Sequence, residues 1–108
     1  MRVAHTTRAL KATEIVANLA KLEGWTLSGD GDSLAIEKPF GFANYYQTVA
    51  FVNAVAFIAH SEDHHPELIV QPRQCLVRWR THDVHGISPA DFACAKRVDD
   101  LQPETIAS

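Results

Sequence analysis

The stretch that decides the fold is Leu68-Ile69-Val70-Gln71-Pro72-Arg73-Gln74-Cys75-Leu76-Val77-Arg78-Trp79-Arg80-Thr81. It predicts two antiparallel strands, 68–71 and 74–81, because the pair Pro72-Arg73 separates two runs rich in strand-forming side chains. Side chains alternate across a strand, so this turn puts one apolar set on a single face: Leu68, Val70, Cys75, Val77 and Trp79. The other face then carries Gln71, Gln74, Arg78 and Arg80. The hairpin therefore predicts a sheet with one apolar side.

A second hairpin is predicted earlier in the chain. Residues 25–28 and 33–37 alternate, or nearly alternate, between apolar and polar side chains. The segment between them, Gly29-Asp30-Gly31-Asp32, is rich in residues that tolerate a positive φ angle. We expect two more antiparallel strands here, and we expect Pro39-Phe40-Gly41 to end the second of them.

Three helices accompany the four strands. Apolar residues recur at spacings of three and four over residues 13–22, and Gly24 follows as a stop signal. The same periodicity predicts a second helix from Phe42 to about Ala59.

The third helix closes the predicted domain. Ser88 and Pro89 have the pattern of an N-cap followed by a first-turn proline, and Asp91 places a carboxylate near the helix N-terminus. The order is α-β-β-α-β-β-α, an α+β fold with a four-stranded antiparallel sheet and three helices packed on one face. No linker, repeat or low-complexity segment divides the chain, so residues 1–108 are expected to form a single domain.

The composition fits one globular domain and excludes several classes of protein. Of the 108 residues, 46% are hydrophobic and 21% are charged, which excludes collagen, coiled coils, repeat arrays and wholesale disorder. The formal charge is −3 and no basic stripe is present, so no nucleic-acid partner is expected. The longest apolar run, residues 54–59, is far shorter than the roughly 20 residues that cross a bilayer, so no membrane partner is expected.

The N-terminus and the cysteines indicate the compartment. Residues 1–8 lack the apolar region of a secretory signal. Cys75 and Cys94 are too few and too far apart for a disulfide framework, and neither belongs to a Cys-x-x-Cys pair. We interpret both as reduced core thiols of a cytoplasmic protein, and Cys94 as a packing residue rather than a nucleophile.

The second predicted helix is apolar on nearly all sides. Apolar residues also occupy the positions between those of the main periodicity: Ala50, Phe51, Ala54, Val55 and Ile58. A helix of this kind is buried on two sides, and a chain of 108 residues has little left to cover the second side. The helix is either an unusually hydrophobic core element or a subunit interface. We expect a homodimer or homotetramer formed through residues 43–59.

Three of the six histidines, His64, His65 and His82, flank the hairpin that decides the fold. With residues 72 and 73 as the turn, antiparallel pairing places position 82 opposite position 63. Opposed Cβ atoms lie about 5 Å apart and diagonal ones within about 8 Å. The three imidazoles are therefore predicted to converge at the open end of the hairpin.

Imidazole gives and takes protons near neutral pH, so this cluster suits acid-base catalysis. Carboxylates lie nearby in the sequence: Glu62, Asp63 and Asp83. Three imidazoles also match a zinc site, but adjacent His64 and His65 must diverge from a regular backbone and no helical His-x-x-x-His pair is present. We therefore expect no metal, and histidines gathered by chance remain the other alternative.

Two stretches of the chain resemble the pterin-4a-carbinolamine dehydratase family. They are Glu62-Asp63-His64-His65-Pro66-Glu67 and Thr81-His82-Asp83-Val84-His85-Gly86-Ile87-Ser88, and the earlier Gly24-Trp25 is also similar. The resemblance extends from about Leu10 to Leu101. Many relatives have a glutamate where this chain has His60, with Glu62 as the alternative carboxylate, and a small residue where it has His85.

The resemblance implies the same order of elements, dimers or tetramers, and a specific reaction. That reaction is the dehydration of 4a-hydroxytetrahydrobiopterin, a pterin 4a-carbinolamine, to quinonoid dihydropterin without a cofactor or metal. It recycles the pterin cofactor of aromatic amino-acid hydroxylases. By position, the implied catalytic residues are His64, His65 and His82. The implied substrate-binding residues are His60, Glu62, Asp63, Pro66, Thr81, Asp83 and Val84.

The residues suit this chemistry. Loss of water needs one proton delivered to the 4a-hydroxyl and one withdrawn from N5. Our hypothesis is that His64 and His82 exchange these protons on opposite sides of the pterin, while His65 orients the ring or the hydroxyl. Two other functions remain open: an oligomeric module that binds proteins or acts as a transcriptional co-regulator, and a role with a related pterin such as molybdopterin.

Overall fold

A computed structural model describes residues 8–101 and shows the predicted succession of helices and strands. The elements are α1 (Ala12–Leu19), β1 (Thr26–Ser28), β2 (Ala35–Gly41), α2 (Tyr45–Glu62), β3 (Glu67–Gln71), β4 (Gln74–Trp79) and α3 (Pro89–Asp99). Short 3₁₀ turns occupy Gly31–Ser33 and His82–Val84. The strands form an antiparallel sheet in the order β1-β2-β4-β3. The predicted α+β class and strand arrangement are confirmed.

The β3–β4 hairpin has the register that its two-residue turn predicts. Leu68 lies opposite Val77, and Val70 lies opposite Cys75. On the other face, Arg78 bridges Glu67 of β3 and Glu37 of β2, with nitrogen-to-oxygen distances of 2.6 and 2.8 Å. The hairpin thus presents an apolar face to the helices, and the guanidinium of Arg78 forms its contacts within the sheet.

β2 begins and ends later than the sequence suggests. Ser33 belongs to a 3₁₀ turn, and the strand starts at Ala35. It continues through Pro39, opposite Leu76 of β4, as far as Gly41, so the prediction that this segment ends the strand is wrong. β1 pairs with residues 35–37 of β2, which leaves the outer edge of β2 open beside Pro39. A residue without an N–H is tolerated at such an edge.

α2 is displaced by three residues from its predicted limits. Asn44 caps it, since its side-chain oxygen accepts a hydrogen bond from the backbone N–H of Gln47 at 2.9 Å. Phe42 therefore precedes the helix. Its ring still packs on that of Phe51, with centroids 5.0 Å apart. Phe42 therefore faces the core as the buried helix residues do, and for this reason it fits the helical periodicity.

The ends of α1 and α3 follow from local hydrogen bonds. α1 ends at Leu19, earlier than predicted, because the N–H of Leu22 bonds to the carbonyl of Leu19 in a tighter turn. α3 starts as predicted, with Ser88 as its N-cap and Pro89 in its first turn.

The core lies between the sheet and the three helices that cover one of its faces. Its largest fully buried apolar side chains include Trp79, Phe51, Ile36, Ile87, Val55, Val77 and Val98. Polar contacts fasten one end of this layer: Asp99 accepts hydrogen bonds from Trp25 Nε1 at 2.9 Å and from Lys38 Nζ at 3.0 Å. The first hairpin is thereby tied to the C-terminal end of α3.

The two cysteines are buried free thiols. Burial raises the pKa of Cys75 to about 11. Burial also raises the pKa of Cys94, to about 12, and the nearby carboxylates Glu62 and Asp91 act in the same direction. Both thiols stay protonated at neutral pH, which agrees with their prediction as core residues.

α2 leaves one side uncovered. We call this the outer face of α2, consisting of Tyr45, Tyr46, Val49, Ala56 and Phe57, all of them exposed. Tyr46 is 70% exposed and Phe57 is 66% exposed. Among residues 8–101, no helix combines the length and apolar character that a membrane span requires.

Replacing Val98 with Ala is expected to lower the free energy of unfolding by about 2 kcal/mol. Val98 is 1% exposed, so the change removes core methyl groups and leaves a cavity. The matched control is Val16→Ala on α1, where the side chain is 66% exposed and a change within about 0.5 kcal/mol is expected. Urea denaturation followed by circular dichroism measures both, and equal losses would contradict the core described here.

Candidate active site

α2 ends in a Schellman motif that positions His64. Asp63 has a φ angle of +52°, a left-handed conformation that aspartate adopts more readily than most residues. The N–H of His64 donates to the carbonyl of Ala59 at 3.0 Å, and the N–H of Asp63 donates to that of His60 at 3.3 Å. This turn reverses the chain and brings His64 to the N-terminal end of α3.

The ring of His64 is held by a buried carboxylate. Its Nε2 lies 2.7 Å from Oδ1 of Asp91, whose side chain is fully buried. Because a carboxylate accepts hydrogen bonds, we assign the proton of this bond to Nε2, which leaves Nδ1 to exchange protons. The His64 side chain is 15% exposed. The arrangement is that of an oriented imidazole with one nitrogen available for chemistry.

Asp91 is stabilised by two further donors and by its place in a helix. Its Oδ2 accepts the hydroxyl of Thr81 at 2.8 Å and the backbone N–H of Ser88 at 2.9 Å. It occupies the first turn of α3, where the helix dipole favours negative charge. One carboxylate therefore joins the end of α2, the chain after β4 and the start of α3.

His82 begins the 3₁₀ turn that follows Thr81. Thr81 forms an isolated bridge with Gly86 that closes this turn. The His82 ring lies 5.9 Å from that of His85, which has a φ angle of +52°, and His85 Nδ1 lies 3.6 Å from Oδ1 of Asp32. His82 is exposed. It directly follows Thr81, whose hydroxyl donates to Asp91, the residue that holds His64.

The other predicted site residues fall into two groups. The first is at least partly accessible: His60, Asp63, His65 and Asp83 are exposed, while Pro66 and Val84 are half-buried. The second is buried: the Thr81 hydroxyl is bonded to Asp91, and the Glu62 carboxylate accepts a hydrogen bond from Arg97 at 2.7 Å. Glu62 and Thr81 are thus engaged with protein groups.

Two observations describe what surrounds the histidines. In residues 8–101, no three His, Cys, Asp or Glu side chains are grouped so that they could hold a metal ion. Cavities of about 850 and 440 Å³ lie next to the C-terminal end of α3, lined among others by Phe40, Phe42 and Asp99. Neither is lined by His64, His65 or His82. The candidate site therefore lies apart from these cavities, at the N-terminal end of α3 where His64 contacts Asp91.

Asp91 and Trp79 are parts of the site that sequence reasoning missed. The pattern assigns Asp91 to a helix N-terminus and Trp79 to the apolar face of β4, and both placements are correct. It does not reveal that each contacts His64: the Trp79 and His64 rings stack with centroids 5.4 Å apart. The hydroxyls of Thr81 and Ser88 near Asp91 were the available signal of a buried carboxylate.

The fold and this network define a class of protein: an α+β domain that holds an imidazole against a buried carboxylate, an arrangement suited to proton transfer. The family model described as pterin 4 alpha carbinolamine dehydratase matches residues 8–101. The chain belongs to this family, and the resemblance noted from its motifs is confirmed.

Individual relatives agree with this assignment. A protein of Paracidovorax citrulli named for pterin-4-alpha-carbinolamine dehydratase is 61% identical over 98 residues, which cover 91% of this chain and 84% of the relative. One of Bdellovibrio bacteriovorus with the same name is 52% identical over 98 residues, covering 87% and 78%. A crystal structure described as a transcriptional coactivator/pterin dehydratase from Brucella melitensis is 26% identical, with a TM-score of 0.79, covering 85% of this chain and 96% of that one.

Replacing Asp91 with Ala is expected to lower the free energy of unfolding by about 2–4 kcal/mol. The change leaves the donors from His64, Thr81 and Ser88 without their acceptor. Asp83→Ala serves as the control, because Asp83 is exposed and a change within about 0.5 kcal/mol is expected. Denaturant titration of both variants is the measurement, and a loss below about 0.5 kcal/mol for Asp91→Ala would contradict the network.

Proposed function

We propose that this protein is a 4a-hydroxytetrahydrobiopterin dehydratase, a hydro-lyase that converts the pterin 4a-carbinolamine to quinonoid dihydropterin by histidine acid-base catalysis. The observation that carries the proposal is the hydrogen bond of His64 Nε2 to buried Asp91. Membership of the family that the matching model describes supports the substrate. The names of the relatives support the reaction.

The reaction requires two proton transfers and no change in oxidation state. The C4a–O bond breaks as the hydroxyl accepts a proton and leaves as water. The N5–H bond then gives its proton to a base, and its electron pair forms the C4a–N5 double bond. One proton enters and one leaves, so a pair of imidazoles that exchange protons near neutral pH suffices.

We assign the transfers to His64 and His82. His64 exchanges its proton at Nδ1, because Nε2 is engaged with Asp91, and the carboxylate offsets the positive charge that forms on the ring. His82 acts on the opposite side of the pterin, and exposed His65 orients the ring or the hydroxyl. The proposed substrate contacts are the accessible residues His60, Asp63, Pro66, Asp83 and Val84. Thr81 and Glu62 support the site through Asp91 and Arg97.

In the proposed physiological role, the protein works in the cytoplasm and returns the pterin of aromatic amino-acid hydroxylation to its redox cycle. The dehydration product is the form that a reductase must convert back to tetrahydropterin. A related pterin as substrate is the alternative at the same site, because the two proton transfers require only a hydroxylated carbon beside an N–H.

A stopped-flow assay on freshly generated 4a-carbinolamine, with chelator-treated protein, tests the reaction. Wild-type protein is expected to accelerate dehydration above the spontaneous rate and to resist the chelator. His64→Ala and His82→Ala are each expected to reduce kcat by about 10²-fold or more, the usual contribution of an acid-base group.

Lys21→Ala is the control for this assay, because Lys21 is exposed and borders a cavity near the C-terminal end of α3. Circular dichroism confirms that each variant is folded. A histidine variant that retains dehydration within threefold of wild type would remove the role given to that residue. If the wild-type protein does not accelerate dehydration above the spontaneous rate, the proposed function is wrong.

We also propose that the protein forms a homodimer or homotetramer through the outer face of α2. This face carries three exposed aromatic side chains, Tyr45, Tyr46 and Phe57, and exposed apolar surface of this kind marks interaction sites. A binding role for the same surface is the second candidate, because the Brucella melitensis relative is described as a transcriptional coactivator as well as a pterin dehydratase.

The double variant Tyr46→Lys and Phe57→Lys is expected to convert the oligomer to a monomer, because desolvating two ammonium groups opposes association. Light scattering coupled to size exclusion measures the mass. Val16→Lys on α1 is the control, since Val16 is equally exposed and lies outside this face. A wild-type monomer, or an unchanged mass for the double variant, would contradict the proposal. Mixed complexes with an added protein would favour the binding role.

A further inference from the structure

Trp79 provides a flat, rigid surface beneath the His64 ring. The two ring centroids are 5.4 Å apart and the planes differ by 14°, which is a stacked geometry. Trp79 is completely buried, and its backbone pairs with Ile36 in the middle of the sheet. The indole is therefore fixed by the core, while the imidazole on it lies at the surface.

Stacking and hydrogen bonding restrain different motions of the imidazole. The bond from Nε2 to Asp91 fixes one atom of the ring, but the ring can still rotate about that bond. A parallel aromatic surface at 5.4 Å removes this rotation. Together the two contacts fix the direction in which Nδ1 points, and small errors of orientation at a reacting atom are costly.

The face of the Trp79 indole also has an electrostatic character. The face of an indole carries negative electrostatic potential, and tryptophan is the strongest partner for cations among aromatic side chains. The carboxylate bonded to His64 is that of Asp91 from α3, and Asp63 and His65 adjoin His64 in the chain. Asp91 meets the ring at its edge, so the indole and the carboxylate act from different directions.

The indole nitrogen of Trp79 lies in the core beside the ring face that contacts His64. Trp79 Nε1 is buried and has no hydrogen-bond partner among the described residues, although buried indole N–H groups usually have one. An aliphatic side chain on the apolar face of β4 would avoid this unpaired donor. The geometric contact between the two rings, rather than this nitrogen, is what links Trp79 to His64.

We propose that Trp79 is a positioning residue for His64: its indole face fixes the plane of the imidazole and stabilises the ring while it carries a proton. Being fully buried, Trp79 does not touch substrate and acts through His64. The kinetic part of this inference rests on the proposed function, whereas the stacking itself does not.

Two substitutions separate the effect of the aromatic ring face on kcat from the effect of side-chain volume. Trp79→Phe keeps an aromatic face and is expected to retain kcat within about threefold. Trp79→Leu fills part of the space without a π face, and it is expected to lower kcat by about 10-fold or more while KM stays within about twofold. Equal kcat values for folded Trp79→Leu and wild type would overturn the proposal, as would a change confined to KM.

Fluorescence gives a readout that does not depend on activity. The chain has two tryptophans, so Trp25→Phe leaves Trp79 as the sole tryptophan, which is excited at wavelengths where tyrosine does not absorb. A stacked imidazole quenches indole emission through direct ring contact. His64→Gln, added to this background, is expected to raise the Trp79 emission at constant pH, whereas His65→Gln, at an exposed position, is expected to leave it unchanged.

The two readouts keep the proposals distinguishable. A rise in emission specific to His64→Gln, in a protein without dehydratase activity, would end the proposed function and support the stacking. Emission that is the same with and without His64 would overturn the positioning role even in an active enzyme. The Trp25→Phe background retains Trp79 itself. Because Trp25 is also buried, circular dichroism checks that this background is folded.

Discussion

The structure depends on the burial of one carboxylate, that of Asp91. Removing a charge from water is costly unless hydrogen-bond donors surround it. Here the donors come from three separate segments: His64 after α2, Thr81 after β4 and Ser88 before α3. The carboxylate is satisfied only when these segments are packed together. The contacts that join the ends of α2, β4 and α3 therefore include the one that orients the imidazole.

Much of the fold could be predicted because its signals are local. Two residues set the register of the β3–β4 hairpin, and the start of α3 follows from Ser88 and Pro89. The limits of β2 and α2 could not be predicted in the same way. Pro39 remains in a strand because β1 stops short of it, and Phe42 imitates helical spacing because it packs on Phe51. Both depend on neighbours distant in sequence.

The sequence predicted which segments form the candidate site, but not which residues contact His64. The hairpin register brings the histidine segments to one end of the sheet, but adjacent His64 and His65 diverge, so that one is enclosed and the other exposed. The partner of His64 is 27 residues away. Its contact depends on how α3 is rotated about its own axis, which no local pattern determines. The same holds for the stacking of His64 on Trp79.

The double use of Asp91 links heat tolerance to one helix end. One of its oxygens accepts the N–H of Ser88 at the start of α3, and the other holds His64. The first turn of α3 cannot unwind without releasing the imidazole. Because Ser88 and Asp91 are fully buried, heat is expected to release the imidazole in the same cooperative transition that melts the core, rather than in an earlier local opening.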